Sequence, residues 1–194
     1  AEALRAFDLT SDRLVRLSLL RLGESEHVML VTMHHIVSDG WSIGILMREL
    51  AALYEAFSSG RPSRLAEPAI QYRDFAHWQR RWLQGEKLDE QLAYWTSALS
   101  DAATSIELPI DRPRSSPPSY RGSTESRLLQ AELMTALHAF GTERGLTPFM
   151  VILSALNILL ARMSRQSDLV VGTVISGRTR TETEALIGCF MNFL

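Results

Sequence analysis

Val28-Met29-Leu30-Val31-Thr32-Met33-His34-His35-Ile36-Val37-Ser38-Asp39-Gly40-Trp41-Ser42-Ile43-Gly44 carries the densest chemistry in the chain. The apolar run from Val28 to Met33 reads as a buried strand, and after Gly40 the apolar spacing lengthens to that of an amphipathic helix. Two histidines and an aspartate therefore stand where a strand gives way to a helix. In an α/β framework that is where sites tend to be built, because rigid elements hold a short loop against a ligand. Upstream, Leu17-Ser18-Leu19 between Arg16 and Arg21 reads as a strand, Gly23 to Glu26 as a turn, and His27 to Met33 as the antiparallel return. A hairpin thus presents the histidines.

Downstream, Ile43, Leu46, Met47, Leu50, Leu53, Tyr54 and Phe57 define one face of a helix over 41–57, which Ser58-Ser59-Gly60 ends. Arg61-Pro62-Ser63 and Pro68 mark a loop. Tyr72, Phe75, Trp78 and Trp82, then Leu88, Leu92, Trp95 and Leu99, recur at helical spacing. Their aromatic rings read as core packing rather than a ligand box, since rings bury large area without needing a cofactor. Pro109, Pro113, Pro117 and Pro118 break regular structure between Asp101 and Gly122, which suits a crossover between two lobes. Beyond it the pattern predicts a strand at Ser126 to Gln130 and a helix from Ala131 to Arg144 with Leu133, Leu137 and Phe140 inward. Thr147-Pro148 opens an apolar helix to about Ala161, too short for a bilayer and so expected in the core. Asp168 to Ile175 is β-rich, and Cys189 to Leu194 starts another strand.

With 194 residues, 46% of them hydrophobic, the chain suits one globular domain or parts of two. A formal net charge of -2 gives no reason to expect nucleic acid or an anionic membrane as partner. The single cysteine excludes an internal disulfide, and no signal peptide or apolar span of about 20 residues stands out. A cytoplasmic protein is expected. Only Lys87 is a lysine among 20 basic residues, a bias that suits GC-rich coding and a bacterial source. Ala1 and the apolar Leu194 read as ends of a piece of a longer chain.

Each reactive residue has a plain reading beside the functional one. Adjacent His34 and His35 should point to opposite sides of a strand, which argues against a shared metal, and no third ligand stands at zinc spacing. One ring is expected inside as a hydrogen-bonded support, the other toward a cavity. Asp39 is either a helix N-cap bonded near Ser42 or half of a buried ion pair. Gly40 suits a tight turn with close backbone approach. Cys189 reads as a buried small hydrophobe; as a thioester-forming nucleophile it lacks a basic neighbour in the sequence. Gly172 and Gly177 form no phosphate loop. Arg61, Arg64, Arg73, Arg80 and Arg81 read as a solvated face, or as a dock for an acidic partner.

At this point His34-His35-Ile36-Val37-Ser38-Asp39-Gly40 resembles the HHxxxDG signature of condensation domains from nonribosomal peptide synthetases. Tyr72-Arg73-Asp74-Phe75-Ala76-His77-Trp78-Gln79, Leu108-Pro109-Ile110-Asp111-Arg112-Pro113-Arg114 and Ile187-Gly188-Cys189-Phe190-Met191-Asn192 resemble three further blocks of that family in the same order. HHxxxDG alone is shared with other acyltransferases; four ordered blocks are far more specific. The resemblance implies an α/β, two-lobed chloramphenicol-acetyltransferase-like fold. Residues 1–105 would be a partial N-terminal lobe, 106–122 a crossover linker and 123–194 a partial C-terminal lobe.

It implies amide formation: the amine of an acceptor aminoacyl thioester attacks a donor acyl or peptidyl thioester. His35 matches the catalytic histidine, as general base or as a group that positions the amine. His34 and Asp39 match supporting positions, the Gly40 N–H could polarise the thioester carbonyl, and Trp41, Ser42, Arg178 and Asn192 are candidates for the tunnel or second lobe. No cofactor or metal is expected in the domain itself. Substrates would arrive on phosphopantetheine arms of upstream and downstream peptidyl carrier domains, with an adenylation domain in the same assembly line, for antibiotic or secondary-metabolite synthesis. Two departures stand out: Asp12-Arg13 replaces the usual Gly-Pro, and Phe193 the usual Thr. The family's RHExLRT-type block, whose arginine would pair with Asp39, is not in the sequence, so Asp39 is expected unpaired and the piece inactive alone and poorly stable. Two other readings are an epimerisation domain, which Trp41-Ser42 disfavours, and a non-catalytic condensation-like module that recruits a partner.

Overall fold

The computed structural model describes residues 2, 5–103, 105–113, 116–117 and 122–194. Arg114 and Pro118, which the crossover reading used, and Ala1 lie outside them. In chain order the elements are β1 (Val15–Arg21), β2 (His27–Met33), a 3-10 turn (His35–Val37), α1 (Gly40–Ser58), α2 (Tyr72–Trp82), α3 (Glu86–Ala98), α4 (Ala131–Glu143), α5 (Pro148–Ser164), β3 (Val174–Ile175), a second 3-10 turn (Thr181–Thr183) and β4 (Asn192–Phe193). By contact the chain divides into two compact units, Ala1–Leu92 with Gly172–Leu194, and Ala93–Val171. The last stretch of the chain thus gathers with the first.

In the first unit β1 and β2 form the expected antiparallel hairpin, in register from Val15 opposite Met33 to Arg21 opposite His27. The turn is closed by the Leu22 N–H on the Glu26 carbonyl at 2.9 Å, and the ladder runs one step further through the His34 N–H on Leu14 at 2.9 Å. That step carries the two histidines to the strand's end. The expected burial of Val28 to Met33 is not found: Val28, Met29 and Leu30 are exposed. A two-stranded sheet buries a face only where another layer lies on it.

Helix α1 begins where its cap dictates and ends at Gly60, whose φ of 66° a glycine adopts freely. Its sheltered stripe is offset from the expected one. Ser42 and Ile45 are buried and Leu46, Leu50 and Leu53 half-buried, whereas Ile43, Met47, Tyr54 and Phe57 are exposed. On α2 the Gln71 N–H donates to the Asp74 carboxylate at 2.8 Å, closing the first turn. Tyr72, Phe75, Trp78 and Trp82 then follow one another along one face with ring centroids 5.6–6.0 Å apart. β3 and β4 pair antiparallel, Val174 opposite Phe193, and Thr173 exchanges hydrogen bonds with Leu194 at 2.8 and 2.9 Å. The β-rich run from Asp168 is therefore a strand only at Val174–Ile175, since its partners are Asn192 to Leu194.

In the second unit Thr147 caps α5 and Pro148 occupies its first turn, as the sequence predicts. Three other expectations fail there. Ser126 to Gln130 forms no strand, with Leu128 fully exposed. Leu133 and Phe140 of α4 are exposed, and α5 has no buried residue. These two helices pack on each other, but a helix's apolar stripe needs a covering layer on its other side as well. Among the described residues no single helix is long and apolar enough to cross a membrane.

Candidate functional site

The hairpin, the start of α1 and the last stretch of the chain meet within the first unit. His34 is the last extended residue (φ −71°, ψ 137°), and His35 opens the 3-10 turn. The two rings part, as alternation requires. His34 is half-buried; its Nδ1 accepts the Ile36 N–H at 3.0 Å and its ring stands edge-on to Phe7, centroids 5.8 Å apart. His35 is exposed, with Nδ1 3.9 Å from the Cys189 Sγ.

Asp39 answers to both of its sequence readings at once. Its Oδ1 accepts the Ser42 N–H at 2.8 Å and the Ser42 hydroxyl at 2.7 Å, which caps α1. Its Oδ2 accepts the Phe190 N–H at 3.0 Å. Arg178 Nη2 lies 3.1 and 3.3 Å from the two oxygens, and the side chains of Arg178 and Asp39 are 2% and 7% exposed. The expectation that Asp39 lacks an arginine is thus overturned. A local spacing rule cannot see a partner 139 positions away. Burial alone would push the Asp39 carboxyl up, but bonds from the Ser42 hydroxyl, the Phe190 and Ser42 N–H groups and Arg178 outweigh it and hold the group at about 2.

Arg178 is fixed on every side but one. Its Nη1 donates to the carbonyls of Thr183 and Leu186, the latter at 2.9 Å, and Nη2 also reaches the Ser42 hydroxyl at 3.0 Å. Its guanidinium carbon lies 3.9 Å above the centre of the Phe190 ring. Its Nε is buried without a partner. Ser42, with no exposed surface, stands 2.8 Å from the Gly188 carbonyl and accepts the Gly188 N–H at 3.0 Å. The Trp41 indole donates to the Glu184 carbonyl at 2.9 Å. Trp41, Ser42 and Arg178 therefore knit residues 178–190 to the start of α1. Asn192 is not among these contacts; it lies exposed in β4, its amide oxygen accepting the Phe193 N–H at 2.9 Å.

Gly40 is the first residue of α1, where backbone N–H groups have no partner inside the helix. A Cβ there would meet nothing within 4 Å, so the close approach expected at Gly40 is not made by the protein itself. In this site the glycines that close approach does require are Gly177, at φ 63°, where a Cβ would overlap the Phe190 carbonyl, and Gly188, where it would overlap the Tyr72 ring. Tyr72, whose hydroxyl donates to the Cys189 carbonyl at 2.7 Å, is the residue that sequence reasoning left in the bland core. Burial, then the Cys189 and Asp39 charges, raise its pKa above 10.0 and keep it a donor. The signal was Tyr72 and Gly188 each belonging to a motif block. The basic neighbour that Cys189 lacks in the sequence is supplied in space by His35, and the cysteine is half-buried rather than buried. Among the described residues no three His, Cys, Asp or Glu side chains converge as metal ligands.

The condensation-domain family profile matches residues 1–194. The chain is 48% identical over 193 residues to a linear gramicidin synthase of Brevibacillus parabrevis, a match covering 100% of this chain and 2% of that protein. An X-domain from teicoplanin biosynthesis superposes with a TM-score of 0.89 at 33% identity, over 100% of this chain and 44% of that one; an X-domain also occurs in a complex with OxyB, at 0.87 and 34%, over 98% and 43%. A four-domain nonribosomal peptide synthetase, holo-AB3403 bound to AMP and glycine, superposes at 0.80 and 25% identity, over 97% of this chain and 14% of that one. The chain therefore spans less than half of each of these proteins. The fold is the α/β, chloramphenicol-acetyltransferase-like fold of condensation domains.

Proposed function

We propose, for a chain that belongs to the condensation-domain family, amide formation between two carrier-bound thioesters. The observation that carries this reading is the pair of histidines with divided tasks. His35 is exposed at the strand's end, while His34 is packed on Phe7 and Asp39 is held by Arg178 and Ser42. In the proposed reaction the His35 imidazole takes a proton from, or holds, the acceptor amine as it attacks the donor carbonyl; the amide C–N bond forms, the thioester C–S bond breaks, and the donor's phosphopantetheine arm leaves as its thiol with the proton the amine gave up. The first-turn N–H groups of α1, Gly40 foremost, offer donors to the oxygen on which charge develops. Trp41, Ser42 and Arg178 keep that turn and the 178–190 segment in place, and Asn192 is assigned to the substrate-facing side.

The domain needs no resident cofactor in this scheme, because both substrates come on phosphopantetheine arms. The partners proposed with it are upstream and downstream peptidyl carriers and an adenylation domain, in a cytoplasmic assembly line, with the crossover between lobes at 106–122. The test is His35→Ala in the complete protein with both carriers loaded. Loss of the dipeptidyl product is expected. A second reading, a module that recruits another protein, is favoured by the likeness to an X-domain seen in complex with OxyB. Unchanged product from His35→Ala would move the assignment there.

A further inference from the structure

Cys189 stands between two places. On one side its Sγ lies 3.9 Å from the His35 imidazole. On the other it lines a groove of about 530 Å³, together with Phe75, Gln79, Arg80, Leu83 and Asn192. Its backbone is pinned rather than free. The Tyr72 hydroxyl holds its carbonyl at 2.7 Å, the preceding Gly188 N–H is bonded to Ser42 at 3.0 Å, and the following Phe190 N–H to Asp39 at 3.0 Å. Tyr72 also stacks edge-on against Phe190, centroids 5.1 Å apart, and lies where any side chain at 188 would go. A residue anchored on both sides cannot retreat from a substrate; only the size of its side chain can change the room.

We propose that the side chain at position 189 determines which acceptor fits beside His35, with Tyr72 as the positioning residue that holds it there. The inference rests on the reading of His35 as the group that meets the acceptor amine. That amine is bonded to the acceptor's α-carbon, so the acceptor side chain begins two bonds from the atom facing the imidazole. It falls within reach of whatever stands 3.9 Å away. A thiol is small, and it leaves room there for a branched or aromatic amino acid. The ligand class is thus an aminoacyl thioester selected by the bulk at its β-carbon.

The experiment uses the complete protein with a fixed donor and acceptors graded from glycyl to tryptophanyl, read as single-turnover product. Cys189→Phe is expected to spare glycyl and lower the bulky acceptors by roughly 10- to 100-fold, the scale on which a filled pocket discriminates. Cys189→Ala, which shortens a side chain that lines the groove, should improve the bulky acceptors relative to glycyl. Should Cys189→Ala leave the graded series unchanged, or Cys189→Phe lower every acceptor equally, the assignment is overturned. Tyr72→Phe keeps the ring and removes the bond. It should speed alkylation of Cys189 by iodoacetamide roughly 2- to 10-fold, the worth of one hydrogen bond, measured on the peptide that carries the residue. An unchanged rate would remove Tyr72 from the positioning role. His35→Ala separates the two levels: if it leaves product intact, the catalytic reading falls, whereas a flat Cys189 series with an inactive His35→Ala overturns the selectivity alone.

Discussion

Arg178→Met is the perturbation that weighs the site's frame. Arg178 and Asp39 are both nearly sealed from water, with Nη2 3.1 Å from Oδ1, so truncating the cation leaves a buried carboxylate facing only the Ser42 and Phe190 donors. Breaking a buried pair in this way costs about 3–5 kcal/mol. The loss should be local, because the same guanidinium also closes the carbonyls of Thr183 and Leu186. Amide exchange at Gly188 and Phe190 in the complete protein reads it directly, since those two N–H groups are bonded to Ser42 and Asp39 and open when the segment leaves α1. At about 1.4 kcal/mol per decade, exchange there should accelerate roughly 10²- to 4 × 10³-fold, while the amides of β1 and β2 keep their rates. Adding Asp39→Asn to Arg178→Met removes the stranded charge and should restore part of the protection. Acceleration below about fivefold in the single variant would refute the claim that this pair anchors the segment.

Acid should loosen the same frame. The Asp39 carboxyl is held at about 2 against an ordinary 3.8, so its contribution is fully present above pH 3.8 and is lost as the pH falls through about 2. That separation corresponds to about 2 kcal/mol. Asp8, lowered to about 2 by the Thr10 hydroxyl and N–H and then by Ser11, titrates in the same range. The assay is therefore the difference in protection at Phe190 between the parent and Asp39→Asn; an equal acid response in both would contradict the account. Gly188→Ala places a methyl into the Tyr72 ring and should destabilise by about 1–3 kcal/mol. Gly40→Ala, whose Cβ meets nothing within 4 Å, should leave the unfolding transition in place; a matching loss at both glycines would show that the Tyr72 ring is not what forbids a side chain at 188.

Local structure was legible wherever neighbours in sequence decide it. The hairpin turn at Gly23, the α1 cap at Asp39, the end at Gly60 and the Thr147-Pro148 start all depend on hydrogen bonds spanning a few residues. Burial was legible only in part. Apolar spacing marked α1 correctly as a helix, but Ile45 rather than Ile43 is buried, one turn on from Ser42, whose hydroxyl meets Gly188 of a segment 146 residues away. The same reasoning fails for α4 and α5, whose apolar content promises a covering layer that the described residues do not provide. In the site, spacing predicted that the two histidines part, and their rings do. It could not bring Arg178, Gly188 and Cys189 across more than a hundred residues, and the motif blocks alone hinted that these stretches belong together.

The cap and the ion pair at Asp39 looked like rival readings because each was argued from one lone pair. A carboxylate has two oxygens and about four acceptor positions. A local bond to Ser42 therefore leaves room for a distant one. Oδ1 serves the helix start and Arg178, and Oδ2 serves Phe190 and Arg178. One group thus fixes where α1 begins and where the 178–190 segment lies. His35, just ahead of the buried Ser38, inherits its position from the first, and Cys189 from the second. The aspartate need not touch a substrate to govern the distance between imidazole and thiol. Asp39→Asn keeps the cap's acceptor but loses the charge that holds Arg178, so it should disturb the segment carrying Cys189 more than the start of α1. Protection at Phe190 falling while that at Ile43 persists is the expected signature.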